Sequence, residues 1–302
     1  KDSKLRNLII DLRGNPGGYL PEATKILNQL ITESDRVMVA TVGRSGSKRE
    51  YKTNGKAFYD IPNIAVFVDE ESASGSEIIA GCLQDWDRAV VIGRKTFGKG
   101  LVQEQFTLSD GSAIRLTTSK YYLPSGRNIQ RNYSDLQEYY DSNYQRMKDS
   151  SLFVDKSVLL DSSNAQYKSL TYGRYLSDNG GIDPDIFIPL TGEIYDPEYL
   201  KIASLTYSFC VKLLSSFSNV DKLLNNESTL INSFEDYCSK HNLSTTTLLT
   251  DLKIKSLIKQ KISDEIEQIR KDDNQSIDYS KDPFVEAAIN YFKNPSIARL
   301  GK

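Results

Sequence analysis

The hydrophobic positions in the first half of the chain form short β-branched runs and longer stretches with helical spacing. Three apolar runs, residues 8–13, 64–68 and 89–92, predict buried strands. Residues 21–31 place their apolar side chains on one side of a predicted helix, with Pro21 in the first turn. A second helix is predicted over residues 78–85, between two of the strands.

Further strands are predicted by alternation and by turn residues. Residues 37–42 and 49–53 are predicted to pair around a polar turn. Residues 101–108 and 112–122 flank an Asp-Gly turn, which is a strong signal for a β-hairpin.

The second half of the chain changes in composition. Residues 130–179 are rich in Tyr, Asp and Ser, and we expect them to form a surface insert that acts as a lid or docking element. Residues 1–190 are therefore interpreted as a core that contains this insert. Residues 191–302 are interpreted as a helical packing region without chemistry. Its predicted helices are residues 199–214, 230–241, 248–270 and 283–292, with Asp196, Ser244 and Asp282 as N-caps.

Composition and charge exclude several classes of protein. The net charge of −2 gives no electrostatic reason to expect nucleic acid as a partner. No apolar run approaches the roughly 18 residues that span a bilayer. The three cysteines are odd in number and widely spaced, which favours buried thiols over a disulfide framework or a zinc site. Because the first strand begins almost at once, we expect a fragment whose targeting segment is missing.

The candidate chemistry lies in the two turns around the second predicted helix. Ser74 precedes that helix, and Lys99 follows the next strand between Gly98 and Gly100. A serine hydroxyl needs a neighbouring base to become a nucleophile. The one histidine, His241, lies far downstream, whereas lysine is a documented alternative base.

A lysine serves as this base only when its pKa, about 10.4 in model peptides, falls toward neutrality. Burial can lower it by up to about 3–5 units. The apolar run before Lys99 and the flanking glycines would allow such packing. The alternative is that Lys99 is an exposed turn lysine and that Gln103 is an ordinary strand residue.

Two other motifs have structural interpretations. The glycine-rich stretch of residues 14–18 between a strand and a helix does not match a nucleotide-binding motif. Asp11 and Arg13 before it are expected to pair within the scaffold. Ser76, and also Ser72, are candidate N-caps for the second helix.

Three segments together resemble the C-terminal processing peptidases, also called tail-specific proteases. They are residues 71–78, 88–93 and 96–103, with the serine, lysine and glutamine at the spacing of that family. The resemblance implies a serine protease with a Ser-Lys dyad, in which Ser74 is the nucleophile, Lys99 the general base and Gln103 its support. Gly75 stands where the family often has alanine. Residues 121–127 and 180–185 match further family segments.

The resemblance also implies an oxyanion hole and a fold. The Asp-Leu-Arg-x-Asn-Pro-Gly-Gly segment would face the nucleophile, so that the N–H of Gly17 or Gly18 acts together with that of Gly75. The fold class would be α/β, with a crotonase/Clp-protease-like β-β-α core and the C-terminal helical region. No metal or cofactor is needed for this chemistry.

The biological setting is likewise an expectation from the resemblance. The substrate would be a protein or peptide with a free C-terminus, and the location the periplasm or cell envelope. The PDZ domain of the family is not found in this chain. Two alternatives remain open: a crotonase-type acyl-CoA enzyme, and a non-catalytic peptide-binding scaffold of the same fold.

Overall fold

The computed structural model describes residues 5–57, 60–132, 167–178, 180–190, 199, 202–203, 205–216, 220–241, 243, 245, 248–270, 279 and 282–296. The chain divides into two compact units. The first consists of Lys1–Leu190 and Tyr279–Lys302, and the second of Thr191–Asp278.

The first unit is a mixed α/β structure. Its strands are β1 Asn7–Asp11, β2 Ser34–Gly43, β3 Lys48–Asn54, β4 Asn63–Val68, β5 Val90–Gly93, β6 Leu101–Thr107, β7 Ala113–Tyr122, β8 Tyr167–Lys168, β9 Tyr175–Leu176 and β10 Ile186–Phe187. Its helices are α1 Leu20–Leu30, α2 Gly75–Asp85 and, after the second unit, α7 Pro283–Lys293.

A parallel sheet in the order β1-β4-β5-β10 forms the centre of the first unit. Its two middle strands, β4 and β5, are buried almost throughout, as the continuous apolar runs predict for strands covered on both faces. Helices α1 and α2 contribute to the core on one face, and α7 covers the other. On that second face Phe284 packs on Phe67, with ring centroids 5.5 Å apart.

A second, antiparallel sheet has the order β3-β2-β7-β6. The β6–β7 hairpin closes around the predicted Asp-Gly turn, where Gly111 has a φ of 85°. Trp86, which ends α2, donates its indole N–H to the carbonyl of Val37 at 2.8 Å. The end of α2 is thereby attached to the second sheet.

The second unit is helical. It contains α3 Thr206–Ser216, α4 Val220–Leu224, α5 Glu227–Lys240, a short 3-10 helix Leu248–Thr250 and α6 Leu252–Arg270. The apolar faces of its helices form a separate core, in which Phe209 and Phe234 pack edge to face with ring centroids 5.1 Å apart.

The predicted strands and helices of the first unit are confirmed within a few residues. Asp282 is confirmed as an N-cap, since its carboxylate accepts from the N–H of Phe284 at 2.9 Å. The hydropathy pattern placed residues 191–302 in one helical region, whereas the structure groups α7 with the first unit.

Some predictions fall outside the described residues. Asp196 and Ser244 lie there, as do residues 133–166 and 179 of the predicted insert. The rest of the insert includes the short β8–β9 pair. Among the described residues, no helix is both long and apolar enough to cross a membrane.

Candidate active site

Ser74 stands on a strained turn between β4 and α2. Its backbone has φ 55° and ψ −112°, a combination that residues other than glycine rarely adopt and that typically costs about 1–3 kcal/mol. The side chain is half-buried. Such strain in a non-glycine residue persists only when the surroundings hold it, and it is concentrated at functional sites.

The two neighbouring serines hold this turn in place and are not N-caps. Ser72 donates its hydroxyl to the carbonyl of Leu12 at 2.8 Å, and Ser76 donates to the carbonyl of Asn15 at 3.0 Å. Ser74 itself occupies the N-cap position of α2. The expectation of N-caps at Ser72 and Ser76 was therefore wrong, because both hydroxyls attach the turn to the loop after β1.

The side chain of Glu77 forms hydrogen bonds with two turns: the serine turn, which carries Ser74, and the lysine turn, residues 96–100, which carries Lys99. One carboxylate oxygen accepts from the N–H groups of Ser74 and Lys99, both at 2.9 Å. The other accepts from the Thr96 hydroxyl at 2.5 Å and the Gly98 N–H at 2.7 Å. Glu77 is fully buried, and this burial raises its pKa, while the four hydrogen bonds act in the opposite direction.

Lys99 is half-buried and lines the same cavity as Ser74, a space of about 720 Å³. Its carbonyl accepts from the hydroxyl of Tyr121 at 2.5 Å. Tyr121 is buried, which raises the pKa of its phenol well above the ordinary value, with the nearby charge of Glu77 as the smaller cause. Tyr121 thus remains a neutral donor that fixes the lysine turn.

The segment before β10, residues 180–182, packs against the lysine turn. A Cβ on Gly98, where φ is 88°, would lie 2.8 Å from the carbonyl carbon of Gly180. The hydroxyl of Thr96 accepts from the N–H of Ile182 at 2.7 Å. These close contacts explain why glycines occur in both segments.

Gln103 lies on β6, exposed, and lines the same cavity as Ser74 and Lys99. The pairing of β6 with β7 shifts register between Val102 and Gln103, because Thr118 is an extra residue, a β-bulge, on the facing strand β7. Bulges alter the direction in which a strand presents its side chains.

The glycine loop after β1 packs directly on the serine turn. A Cβ on Gly17, which has φ 89°, would lie 2.3 Å from the carbonyl oxygen of Ala73 and 2.5 Å from the nitrogen of Gly75. A Cβ on Gly75 would lie 3.0 Å from the nitrogen of Gly18. The carbonyl of Asn15 accepts from the N–H of Ala73 at 3.1 Å, which holds the loop against the turn.

The side chain of Asn15 binds the backbone N–H of one loop glycine, Gly17, and not that of the other, Gly18. Its amide oxygen accepts from the N–H of Gly17 at 2.8 Å. Among the described residues, neither Gly18 nor Gly75 has a comparable side-chain acceptor for its N–H. The nitrogen of Gly18 lies beside Gly75, where the loop after β1 meets the start of α2.

Two further features of the first unit position these turns. Asp11 and Arg13 form the predicted pair at 2.6 Å, and Arg13 also contacts Asp282 at 2.9 Å. At the far end of α2, the buried pair Asp85–Arg127 at 2.8 Å attaches the helix to the loop after β7. The serine therefore sits on a helix that is fixed at both ends.

Sequence reasoning assigned no role to Glu77. The signal was present, because Ser74 followed three residues later by Glu77 is the spacing of a capping box, in which the N3 glutamate reaches back to the N-cap N–H. The contacts to the lysine turn could not be foreseen, since they join residues about 20 positions apart. Among the described residues, no cluster of His, Cys, Asp and Glu is arranged to hold a metal ion.

Comparison with known proteins agrees with the motifs. Residues 1–136 match the sequence profile of peptidase family S41. The matched residues include Ser74, Lys99 and Gln103, whose spacing resembles that of the processing peptidases.

Curated relatives match the same part of the chain. The carboxyl-terminal-processing protease of Synechocystis is 46% identical over 123 residues, which is 41% of this chain and 28% of that protein. The carboxy-terminal processing protease CtpB of Bacillus subtilis is 39% identical over 131 residues, covering 42% of this chain and 26% of that protein. The chain thus spans about a quarter of the length of these relatives.

A solved structure titled photosystem II D1 C-terminal processing protease also matches. It shares 24% sequence identity, with a TM-score of 0.42 over 64% of this chain and 37% of that one.

Proposed function

We propose that this chain carries the catalytic part of a serine endopeptidase of the C-terminal processing type. One observation supports this most strongly: Ser74, on a strained turn, and Lys99 line one cavity, and Glu77 binds the backbone of both. A scaffold that served packing alone would not need a strained serine at the mouth of a cavity.

In the proposed mechanism, the hydroxyl oxygen of Ser74 attacks the scissile carbonyl carbon while the amine of Lys99 takes its proton. The resulting tetrahedral intermediate collapses as Lys99 gives the proton to the leaving amine, and the C–N bond breaks. The acyl-enzyme that remains is an ester of Ser74. Lys99 then deprotonates a water molecule whose oxygen attacks the ester carbonyl carbon. The bond between that carbon and the Ser74 oxygen breaks, the carboxylic acid product leaves, and Lys99 returns the proton to Ser74.

The oxyanion would be held by the N–H groups of Gly18 and Gly75. Gly18 is preferred over Gly17 because the N–H of Gly17 already donates to Asn15. Rigid donors of this kind stabilise charge that develops in the transition state, and loss of one typically costs about 2.7–4 kcal/mol of barrier. Gln103, from β6, would orient the amine of Lys99.

The finer features of the family are also part of this proposal. The names of the Synechocystis and Bacillus relatives state carboxyl-terminal processing, so a protein or peptide substrate cut near its C-terminus is the corresponding expectation. A periplasmic or envelope location, and a relationship of the fold to crotonase and Clp protease, stay predictions.

The test is covalent labelling of Ser74 by a fluorophosphonate probe, followed by peptide mapping. We expect labelling of the unaltered chain, none in Ser74→Ala, and a strong reduction in Lys99→Ala with the circular dichroism spectrum unchanged. Absence of labelling in a well-folded sample would favour the peptide-binding scaffold or the acyl-CoA enzyme instead. Hydrolysis of a peptide, but not of an acyl-CoA thioester, separates the protease from the second of these.

A further inference from the structure

The cavity that contains Ser74 carries an excess of positive charge. Its two arginines, Arg49 and Arg115, outnumber its one carboxylate, Glu104, even without Lys99, which accepts a proton in the proposed mechanism. Both arginines are exposed to solvent. Because the walls of a cleft exclude water, such charge attracts ligands of opposite sign more strongly than it would on a flat surface.

The side chains of β3 alternate between the two faces of the sheet, and the two faces differ in whether their charged groups form ion pairs. On one face Lys48 and Lys52 both contact Glu50, at 2.7 and 3.7 Å. Arg49 and Tyr51 occupy the opposite face, which lines the cavity. In the described part of the chain, Arg49 forms no ion pair, and its guanidinium stacks on the ring of Tyr51 at 4.8 Å.

Arg49 lies close to the reacting groups across the sheet. It pairs with Thr41 of β2, and Thr41 pairs with Tyr121 of β7, the residue that binds the carbonyl of Lys99. Two strand spacings of about 4.8 Å place the Arg49 backbone roughly 10 Å from that of Tyr121. This distance corresponds to about three residues of an extended peptide.

Arg115 lies on another side of the same cavity. It pairs with Gln105 of β6, two residues beyond Gln103 and on the same face of the strand. Its nearest polar contact within the described residues is the amide oxygen of Gln105 at 3.5 Å, which is too long for a strong hydrogen bond. The guanidinium is therefore not neutralised by a carboxylate of the described chain.

From these observations we infer that Arg49 and Arg115 select substrates that present carboxylate groups beside the scissile bond. The inference rests on the proposed peptidase function and specifies its substrate class as acidic peptide segments. The carboxylate comes either from Asp or Glu side chains or from the free C-terminus of the substrate. Arginine suits both sources, because its planar guanidinium binds a carboxylate through two hydrogen bonds.

The test measures binding without catalysis, by isothermal titration calorimetry with the Ser74→Ala chain. Four versions of one short peptide are compared, with Glu or Gln at matched positions and with a free or amidated C-terminus. We expect the Glu or free-acid peptides to bind about three- to tenfold more tightly than their neutral counterparts. A difference between the Glu and Gln peptides identifies a side-chain carboxylate. A difference between the free and amidated peptides identifies the C-terminal carboxylate. The preference should weaken as ionic strength rises.

Variants of the arginines complete the experiment. Arg49→Gln and Arg115→Gln should each reduce the preference, whereas Arg44→Gln, the same charge change in the turn between β2 and β3, should leave it intact. Equal binding of all four peptides, no binding of any, or an equal effect of Arg44→Gln would overturn the inference. Phosphonate labelling of Ser74 in the arginine variants would show separately whether the catalytic proposal still stands.

Discussion

At the scale of single residues, the proposed site depends on a carboxylate that has no bond-making role in the proposed mechanism. Glu77 accepts four hydrogen bonds from the two turns that carry Ser74 and Lys99. A buried carboxylate satisfied in this way fixes both backbones relative to each other, because no water competes for the donors. We therefore regard Glu77 as a positioning residue.

Replacement of Glu77 by glutamine should disrupt this arrangement. The NH₂ group of glutamine would face two N–H donors and leave them without an acceptor. We expect the free energy of unfolding to fall by about 1–3 kcal/mol and the labelling of Ser74 to slow strongly. Urea denaturation and probe kinetics measure the two effects. Glu22→Gln on the exposed face of α1 is the control, and a similar loss in that variant would contradict the prediction.

The raised pKa of Glu77 has a consequence for stability. Above its ordinary pKa of 4.5 the unfolded state has released the proton while the folded state still retains part of it. Folding then binds protons, so the contribution of Glu77 to stability is greatest at low pH and falls as pH rises through the folded pKa. The difference in unfolding free energy between the unaltered chain and Glu77→Gln should therefore shrink as pH rises above 4.5. A difference that grows over that range would contradict this sign.

At the scale of elements, the loop between β1 and α1 meets the start of α2. The contact requires a residue without a side chain at Gly17 but not at Gly18. At Gly17 an added Cβ would collide with the backbone, whereas at Gly18 nothing lies within 4 Å of it. The two positions therefore provide a matched pair.

Gly17→Ala should displace the loop from the serine turn, since the new Cβ meets backbone atoms and φ is positive. We expect a loss of about 2–4 kcal/mol in unfolding free energy and of most Ser74 labelling. Gly18→Ala should keep the stability within about 0.5 kcal/mol, because the new methyl group enters open space. Equal effects of the two substitutions would mean that the loop does not pack as described.

The sequence predicted where these elements lie along the chain better than it predicted which elements contact one another. Apolar runs placed β4 and β5 correctly, because strands covered on both faces must be apolar throughout. The motif spacing indicated that Ser74, Lys99 and Gln103 lie together, and all three line one cavity. It could not show which of Gly17 and Gly18 has its N–H already bound, since that depends on the side chain of Asn15. Nor could periodicity reveal that α7 returns to the first unit, because an apolar helical face does not specify what covers it.

At the scale of the whole molecule, the chain leaves the first unit after residue 190 and returns to it at residue 279. After this return, α7 packs on the first unit and buries Phe284 and Ala288 against β4 and β5. The guanidinium of Arg13 lies 4.5 Å from the centre of the Phe284 ring and also pairs with Asp282. The last helix thus covers one face of the sheet that precedes the turns of Ser74 and Lys99.

Phe284→Ala should therefore destabilise the first unit by about 3–5 kcal/mol, the usual cost of removing a buried aromatic ring. Ile289 lies on the same helix but is 50% exposed, so Ile289→Ala should cost less than about 1 kcal/mol. Thermal denaturation followed by near-ultraviolet circular dichroism compares the two. A small effect at Phe284 would show that α7 is not part of the folded core.

The central claim is that Lys99 takes the proton of Ser74. It is tested most directly by the rate at which Ser74 is acylated by a small activated ester, measured by rapid quenching and intact-protein mass spectrometry. Lys99→Ala should slow acylation by about 10²–10⁴-fold, the usual contribution of a general base, with the fold retained. Acylation of Ser74 at an unchanged rate in Lys99→Ala would contradict the account.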